Sequence, residues 1–361
     1  MNATARSPSS AILEWTEQGR VPDAMIRAGI RRLCRQRLKD VEAEDIEASA
    51  LRIGSFVDMM NSSPIALVPD LANEQHYEIP PSFFDAALGP HRKYSCCFWG
   101  DDTETLEQAE IAALKISCER AGIRDGMAVL DLGCGWGSLS LWIARTYPAC
   151  HVTSVSNSAP QREFIETEAA RRGLDNLSVI TADMNEFNAS DQYDRVVSVE
   201  MFEHMRNYRQ LFARIHSWLK PGGQFFMHIF CHRSTPYEFL DQGDSDWMSR
   251  HFFSGGIMPS DDLPLHFQGR LQLASRFRWN GAHYERTSNA WLANMDERRD
   301  EIMPIMEATY GRDRAAQWLQ RWRIFFMACA ELFGLHSGRE WFVSHYVFRR
   351  TEDAPQGATE Q

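Results

Sequence analysis

The sequence lacks a long apolar run, an excess of basic residues and a regular pattern of cysteines. Its longest apolar stretch, at 324–330, is far shorter than the roughly 18 residues that a membrane-spanning helix needs. Its 38 Lys and Arg residues are outnumbered by 49 Asp and Glu residues, which gives a formal net charge of −11. An acidic chain is a poor general binder of nucleic acid, whose phosphates attract basic surfaces. With no apolar signal-peptide core at the N-terminus, a cytoplasmic location is expected.

The eight cysteines are scattered along the chain and form no CxxC pair. This spacing fits neither a disulfide framework nor a zinc site, so we expect reduced thiols that pack as small core residues. His228, Cys231 and His232 lie close together, but a single cluster without a fourth ligand is weak evidence for a metal. No metal is therefore predicted.

The length of 361 residues allows two domains or one enlarged α/β domain. Motifs and composition divide the chain into five predicted segments: an N-terminal helical segment at 1–72, a cofactor-capping region at 73–104, a Rossmann-like core at 105–232, a substrate lid with closing strands at 233–350, and a flexible tail at 351–361. Within the first segment, the initial 19 residues are expected to be loosely structured.

A basic helix is predicted after these 19 residues, because positions 20–39 contain seven Lys and Arg residues and a single acidic residue, Asp23. One interpretation is a helix that lies on an anionic membrane surface. The other is a helix packed on the protein, with a solvated basic face. We favour the second, because Ile26, Ile30 and Leu33 repeat at helical spacing and five acidic residues follow directly.

Between residues 105 and 230 the pattern alternates between helices and strands. Short apolar strands are predicted near 127–132, 151–155, 177–181, 195–200 and 224–229. Such strands separated by helices predict a parallel sheet covered on both faces. Two further candidate strands, 269–279 and 340–349, would complete the sheet edge as an antiparallel pair, and 290–333 is rich in helix signals.

The segment DLGCGWG at 131–137 ends a predicted strand and opens a predicted helix. Its glycines are spaced GxGxG, which differs from the GxGxxG of dinucleotide-binding turns. Glycines let a ligand approach the backbone closely. Asp131, just before the first glycine, suits a ligand that carries an ammonium group.

With the two residues before it, this segment (VLDLGCGWG) resembles the S-adenosylmethionine site of class I methyltransferases. Similar motifs are NEQHYEIPPSFFDAALG, KYSCCFWG, SVEMFEHMRNY, KPGG, RHFFSGGIMPS and HYERTSNAWL. Together they resemble the cyclopropane-fatty-acid synthase superfamily, and within it they are most similar to the coclaurine-type N-methyltransferases. The resemblance implies a Rossmann-like, seven-stranded, mostly parallel sheet with a helical N-terminal segment and a helical, aromatic lid. It also implies S-adenosylmethionine as cofactor.

The predicted cofactor-binding residues, most of them implied by this resemblance, are Tyr94, Ser95, Asp131, Gly133, Gly135, Asn157, Gln161, Asp183 and Met184. The chain has no acid after its second strand to bind the ribose diol, so Asn157 and Gln161 would take that role. Asp183 and Met184 would flank the adenine, which needs an acceptor for its amino group and an apolar wall.

A possible acid–base cluster, Glu200, Glu203 and His204, follows the predicted fourth strand. In a helical turn these positions share one face, so two carboxylates and an imidazole would converge. An alkylamine is mostly protonated at pH 7. An N-methyltransferase therefore gains from carboxylates that attract the cation and from a base that removes its proton. We assign the two glutamates to the first role and the histidine to the second, with a small hydrophobic amine as the substrate partner.

Aromatic side chains of the lid are candidates for contacts with the apolar part of such an amine, by cation–π interaction or packing. The predicted substrate-binding residues are Tyr237, Phe252, Phe253, Tyr284 and Trp322. For any single one of them, ordinary lid packing is the commoner explanation. The lid helices also offer an apolar surface on which a homodimer could form.

The resemblance leaves open a second function, in which unsaturated acyl chains are methylated or cyclopropanated at a membrane. Cyclopropane synthases use a bound bicarbonate as base, and the residues that match its cradle are Cys96, Glu203, His228 and Tyr284. These synthases usually have a small residue at the position of Glu200. A carboxylate facing an acyl tunnel would be costly unless paired, whereas a cationic amine would pair it. Glu200 therefore favours the amine.

Cys329 matches a cysteine sometimes suggested as a nucleophile in this superfamily, but direct transfer needs no covalent intermediate. A thiol in such an apolar run is expected to be inert. A third hypothesis is a cofactor-binding protein without catalysis. The intact set of Glu200, Glu203 and His204 argues against it.

Overall fold

The computed structural model describes residues 8–42, 44–67, 79–240 and 247–352. Its strands, in chain order, are β1 (Ala128–Leu132), β2 (His151–Ser156), β3 (Leu177–Thr181), β4 (Tyr193–Val199), β5 (Leu219–His232), β6 (Tyr237–Glu238), β7 (Ile257–Met258), β8 (Leu271–Trp279) and β9 (Trp341–Arg350). The first part of the predicted capping region, residues 73–78, lies outside the described residues, and so do residues 353–361 of the predicted tail.

Seven of these strands form one sheet, in the order β3-β2-β1-β4-β5-β9-β8. The first five strands of that sheet run parallel, whereas β9 pairs antiparallel with β5 and β8 antiparallel with β9. The predicted mostly parallel sheet and its antiparallel closing pair are confirmed. β5 is assigned from Leu219, before the KPGG motif, but its regular pairing with β4 begins only at Gln224. β6 and β7 form a separate two-stranded sheet.

Twelve α-helices are described: α1 (Pro8–Glu17), α2 (Asp23–Asp40), α3 (Ile46–Ser62), α4 (Pro81–Ala87), α5 (Leu106–Ala121), α6 (Ser138–Thr146), α7 (Ala159–Arg172), α8 (Tyr208–Trp218), α9 (Trp247–His251), α10 (Ala282–Glu297), α11 (Arg299–Tyr310) and α12 (Arg312–Gly334). α5 begins with a capping box, in which Thr105 and Gln108 satisfy each other's backbone groups. It ends at Gly122, whose φ of 64° lies in the left-handed region.

The N-terminal segment differs in part from its prediction. α1 occupies much of the stretch expected to be loose. The basic helix α2 packs against α12, where Arg27 and Arg31 form ion pairs with Glu331. Leu33, expected on the buried face, is exposed, and its neighbour Cys34 is buried instead. The basic face of α2 is thus partly used within the protein.

The lid helices α10, α11 and α12 pack into one large aromatic and aliphatic core with α2 and α4. The large apolar side chains that remain exposed lie elsewhere, many of them on α1, α2 and α3. Apolar burial inside the protein thus accounts for most of the lid pattern that suggested a dimer surface. Among the described helices, none is long and apolar enough to cross a membrane.

The strand order reverses between β1 and β4, because the chain goes outward from β1 to β3 and then returns to the other side of β1. In open α/β sheets, ligands bind at the carboxyl ends of the strands at such a reversal. β1 leads into the glycine turn, and β4 leads into Glu200 and a 3₁₀ helix at Phe202–His204. The fold therefore brings the two predicted functional segments to one place.

Candidate active site

The glycine turn after β1 is held tightly against the neighbouring strand. The backbone N–H groups of Gly133 and Cys134 both donate to the carbonyl of Val155, at 3.0 Å. Gly133 has a φ of 72°, and a Cβ there would lie 2.6 Å from Cγ of Met201. Gly135 has a φ of 53°, and a Cβ there would meet no atom of the described residues within 4 Å. The first glycine is thus required by packing, and the second leaves room for a ligand beside the backbone.

Asp131 lies at the base of this turn and is buried. Its carboxylate accepts a hydrogen bond of 2.5 Å from Ser140 Oγ, which itself receives one from Ser154 Oγ. Burial raises the pKa of Asp131 to about 6, and the bond from Ser140 opposes that rise. An ammonium group nearby would favour the ionised carboxylate, as the predicted contact requires.

Two adjoining cavities at the carboxyl edge of the sheet share Gly133, Gly135 and Glu200. Between them they are lined by all nine predicted cofactor residues: Tyr94, Ser95, Asp131, Gly133, Gly135, Asn157, Gln161, Asp183 and Met184. The structure therefore brings these residues together, and their individual contacts with the cofactor stay predictions.

Gln161 carries one of the few buried polar atoms in these cavities without a partner. Its Oε1 accepts a hydrogen bond of 2.6 Å from Ser156 Oγ, whereas its buried Nε2 has no hydrogen-bond partner in the part of the chain that the structure describes. An unpaired buried donor costs free energy, so this amide is suited to a ligand oxygen such as a ribose hydroxyl. Asp183 and the buried Met184 line the same cavity, as a polar and an apolar wall.

Lys93, which sequence reasoning did not single out, also lines the cofactor cavities. Only 3% of it is exposed, and its Nζ donates to Ser95 Oγ at 2.6 Å and to the carbonyl of Cys96 at 2.7 Å. No carboxylate of the described residues lies within 4.0 Å of this ammonium. Its position directly before Tyr94 and Ser95 in the KYSCCFWG motif was the available signal. A buried cation without a near counter-ion suits a ligand carboxylate.

Glu200 is the most heavily hydrogen-bonded carboxylate of the site, and its side chain is only 8% exposed. Its Oε1 accepts from the backbone N–H of Cys96 at 2.9 Å and lies 3.1 Å from His228 Nε2. Its Oε2 accepts from the hydroxyl of Tyr284 at 2.7 Å. Three groups predicted to cradle a bicarbonate thus hold the side chain of Glu200 instead.

The electrostatic environment of Glu200 has opposing contributions. Burial raises its pKa, while the positive charge of Lys93 and the hydrogen bonds from Cys96 and Tyr284 lower it. Burial also lowers the pKa of His228 well below its ordinary value, so that this imidazole is neutral. Among the described residues, no charged cationic group lies within 4.0 Å of this carboxylate, so it is available to attract one.

The prediction that Glu200, Glu203 and His204 share one face of a helical turn is wrong. Glu200 has a φ of 50°, in the left-handed region, and only Phe202–His204 forms a 3₁₀ helix. The chain leaves β4 through a sharp turn, so helical spacing does not relate the three side chains. Glu203 is completely buried, and its Oε1 accepts from the backbone N–H of Phe230 at 2.7 Å. Burial raises its pKa well above the ordinary value.

His204 lies in the same cavity as Glu200 and stacks on Phe253, with ring centroids 4.8 Å apart. Burial lowers its pKa to about 4, while the negative charge of Glu200 acts in the opposite direction. The imidazole is therefore neutral near pH 7, which is the form that accepts a proton. It is a weak base as long as it stays buried.

The predicted substrate-binding aromatics separate into two groups. Tyr284 and Phe253 reach the site, through Glu200 and His204 respectively. The remaining three, Tyr237, Phe252 and Trp322, are buried in the aromatic core. The ring centroids of Phe252 and Phe325 are 4.4 Å apart, and those of Trp322 and Phe83 are 4.7 Å apart. The hydroxyl of Tyr237 accepts a hydrogen bond of 3.0 Å from Trp341 Nε1. The contacts of these three residues resemble ordinary lid packing.

All eight cysteines have free thiols. Cys329 is partly buried, and burial raises the pKa of its thiol far above the ordinary value, so the thiolate needed for nucleophilic attack is scarce. His228 lies beside Glu200 and not in a metal cluster. Within residues 8–42, 44–67, 79–240 and 247–352, no group of three or more His, Cys, Asp or Glu side chains is placed to hold a metal ion.

Comparison with known proteins agrees with this geometry. The sequence profile of the family described as mycolic acid cyclopropane synthetase matches residues 69–339. The chain belongs to this family. It is 36% identical over 343 residues to (S)-coclaurine N-methyltransferase of Thalictrum flavum subsp. glaucum, covering 94% of this chain and 95% of that protein. It is 31% identical over 282 residues to the cyclopropane-fatty-acyl-phospholipid synthase of Escherichia coli K12, covering 78% of this chain and 68% of that protein.

A solved structure of coclaurine N-methyltransferase bound to N-methylheliamine and S-adenosylhomocysteine has a TM-score of 0.91 with this chain. The two are 36% identical, over 94% of this chain and 99% of that one. The chain is therefore an S-adenosylmethionine-dependent methyltransferase of class I fold. The predicted family, fold and cofactor are confirmed.

The site fits this cofactor chemically. The methionine part carries an ammonium and a carboxylate, and Asp131 and Lys93 offer one charge of each opposite sign in the same cavity. The open space beside Gly135 allows close approach to the backbone, and the unpaired Nε2 of Gln161 offers a hydrogen bond. This family member thus has a matching group for each polar part of the cofactor's amino-acid end and for its ribose.

Proposed function

We propose that this methyltransferase transfers a methyl group to the nitrogen of a hydrophobic, benzylisoquinoline-like amine. The observation that carries the proposal is the buried carboxylate of Glu200 at the junction of the two cofactor cavities. A carboxylate in that place attracts an ammonium, whereas an acyl chain would gain nothing from it. The similarity to coclaurine N-methyltransferase, over nearly the whole of both chains, supports the same reaction class.

When bound, S-adenosylmethionine supplies an electrophilic methyl group to a nucleophile that presents a lone pair. Glu200 attracts the protonated amine and holds it beside the cofactor cavities. Tyr284 and the backbone of Cys96 fix the direction of that carboxylate through their hydrogen bonds. The neutral imidazole of His204 accepts the proton of the amine, and the nearby charge of Glu200 stabilises the imidazolium that forms.

Glu203 takes a supporting part in this proposal. Its carboxyl is buried against the backbone of Phe230 on β5, which fixes the loop that carries Glu200 and His204. The raised pKa of Glu203 favours a neutral carboxyl, so its contribution to attraction of the ammonium is smaller than that of Glu200. Its predicted direct contact with the amine thus has less support than that of Glu200.

One observation favours a second candidate function, the modification of unsaturated acyl chains. Cys96, His228 and Tyr284 converge as expected for a bicarbonate cradle, and the chain is also similar to the cyclopropane-fatty-acyl-phospholipid synthase of Escherichia coli. In this chain, however, the carboxylate of Glu200 occupies the converging donors. The second function requires that this side chain move away.

The two functions differ in which substrate gains the transferred carbon and in how many hydrogens of the methyl group stay on it: all three on an amine nitrogen, but only two in a cyclopropane ring. The purified protein and methyl-labelled S-adenosylmethionine are incubated with a panel of benzylisoquinoline amines and, in parallel reactions, with vesicles of unsaturated phospholipid. Mass spectrometry then follows the label in both sets of products. We expect a labelled methyl group on an amine and no label in the acyl chains, and we expect Glu200→Gln to lose the amine product. A labelled methylene group in the acyl chains, with unmodified amines, would overturn the proposal.

A further inference from the structure

A second histidine, outside the predicted site, stacks behind His228. His345 lies on β9 directly opposite His228 on β5, because the two residues are cross-strand partners. Their ring centroids are 4.5 Å apart, with an angle of 32° between the planes. Both side chains are buried, and Trp279 packs against both rings, at 4.3 Å from His345 and 5.5 Å from His228.

The hydrogen bond at the far side of His345 fixes its tautomer. The guanidinium of Arg120, on α5, lies 2.8 Å from His345 Nδ1. A guanidinium can only donate, so this Nδ1 accepts, and the neutral ring carries its hydrogen on Nε2. Burial lowers the pKa of His345 well below its ordinary value, and the positive charge of Arg120 adds to that effect, so the ring is neutral.

The same reasoning fixes the tautomer of His228. Its Nε2 is 3.1 Å from the carboxylate of Glu200, which only accepts when it is ionised, so the hydrogen of the neutral ring is on Nε2. Two atoms are then left, the Nε2–H of His345 and the bare Nδ1 of His228. Both are buried and have no hydrogen-bond partner among the described residues. One donates and the other accepts, so the two groups are complementary in hydrogen-bonding type.

Most of the charges around His228 also favour its neutral form. The titratable side chains around His228 and its partner Glu200 include Lys93 from the loop before α5, Arg120 from α5, Tyr284 from α10 and His345 from β9. The positive charges of Lys93 and Arg120 oppose an imidazolium at His228, whereas the negative charge of Glu200 favours one. A protonated His228 would form an ion pair with Glu200 and so neutralise the charge that the proposed amine substrate needs.

We propose that Arg120 and His345 are positioning residues for methyl transfer, which hold His228 as the neutral tautomer whose Nε2–H points at Glu200. The negative charge of Glu200 then stays available to the ammonium of the substrate. The consequence for catalysis rests on the proposed N-methyltransferase function, whereas the tautomer of His228 can be measured without it. Nothing in the sequence pattern indicated this pair, because Arg120 and His345 are 225 residues apart.

The experiment uses the full-length protein with ¹⁵N-labelled histidine and records two-bond ¹H–¹⁵N spectra of the imidazole rings between about pH 5.5 and 9. His228→Gln assigns the signals of His228. In the wild type we expect a neutral His228 with its hydrogen on Nε2 over the whole range. In Arg120→Met and His345→Leu, which keep apolar volume but remove the charge or the ring, we expect the other tautomer or the imidazolium to appear.

Matched variants separate positioning from packing. Arg120→Lys keeps the charge, and His345→Gln keeps one acceptor and one donor, so both are expected to retain the wild-type state of His228. Amine turnover should follow the same order, with kcat/KM reduced about tenfold or more in the Met and Leu variants, which corresponds to a shift of one pKa unit or more. The cofactor affinity of all four should stay near that of the wild type.

Two results would overturn the proposal. One is a wild-type His228 that is charged or carries its hydrogen on Nδ1. The other is an unchanged His228 spectrum in folded Arg120→Met and His345→Leu. If no amine is methylated by the wild type, the proposed function fails, but the spectra still decide the positioning of His228.

Discussion

Replacing Glu200 by alanine should remove the negative charge that attracts the amine. A buried charge left without its partner typically costs about 3–5 kcal/mol. Since about 1.4 kcal/mol corresponds to a factor of ten in rate, we expect kcat/KM for the amine to fall roughly 10²- to 10⁴-fold. The cofactor pocket keeps its glycine turn and Asp131, so binding of S-adenosylhomocysteine should change little. Steady-state kinetics and titration calorimetry measure the two quantities separately.

The hydrogen-bond donors around Glu200 allow a sharper version of this experiment. In Glu200→Ala, the backbone N–H of Cys96, His228 Nε2 and the hydroxyl of Tyr284 lose their shared acceptor. Formate, acetate or bicarbonate should fit the vacated space and partly restore amine methylation, with saturation at rising concentration. The matched control is Glu200→Gln, which has the same shape without the charge. It should be nearly as inactive as the alanine variant, and small carboxylates should not rescue it, because its side chain fills the space.

Two outcomes would refute this reasoning. If Glu200→Gln keeps most of the wild-type activity, the side chain acts through shape and hydrogen bonding, and its charge is not needed. If Glu200→Ala keeps its activity without any added anion, the carboxylate has no part in binding the amine. Either result would also remove the main reason for preferring an amine to an acyl chain.

Three further predictions concern the rest of the site. Because burial lowers the pKa of His204 to about 4, the imidazole stays neutral and able to accept a proton above about pH 5. In His204→Ala this base is missing, so kcat/KM for the amine should rise with pH as the free amine accumulates. A pH profile like that of the wild type would contradict the base role. Lys93→Met should weaken binding of S-adenosylmethionine about tenfold but not that of its decarboxylated analogue, measured by calorimetry, whereas equal losses would exclude pairing with the carboxylate. Gly133→Ala should lower the melting temperature, because its Cβ would lie 2.6 Å from Met201 Cγ, whereas Gly135→Ala should mainly weaken cofactor binding, and the reverse pattern would contradict the assigned roles.

The fold was largely predictable because its signals are local. Short apolar runs bounded by helical patterns predicted all seven strands of the large sheet, and the strand–turn–helix context predicted the place of Gly133 and Gly135. The capping box at the start of α5 was equally local. α1 was not predicted, because its short sequence has weak boundaries, and isolated helices of that length depend on packing for stability.

The chemistry of the site was less predictable because it depends on side-chain direction and on contacts distant in sequence. Helical spacing suggested that Glu200 and Glu203 share one face of a helix, but the backbone at Glu200 is left-handed and the two carboxyl groups have different hydrogen-bond partners. The partner of Glu203 is the backbone of Phe230, on another strand. His345 reaches His228 only through the antiparallel register of β5 and β9, which no sequence pattern specifies to a single residue.

The position of Glu200 bears on both reactions considered for this chain, the methylation of an amine and the modification of an acyl chain. Both need a basic group near the cofactor, but the group acts at different times. With an acyl acceptor it takes a proton from a carbocation after the transfer, whereas with an amine its negative charge attracts the substrate before the transfer. A carboxylate tethered to the protein and held by Cys96, His228 and Tyr284 suits the second requirement, because it is present whenever the amine enters. A diffusible anion in the same donors suits the first, because no fixed charge then faces the apolar chain. On the proposed function, the identity of the side chain at position 200 would therefore decide which substrate the same set of hydrogen-bond donors serves.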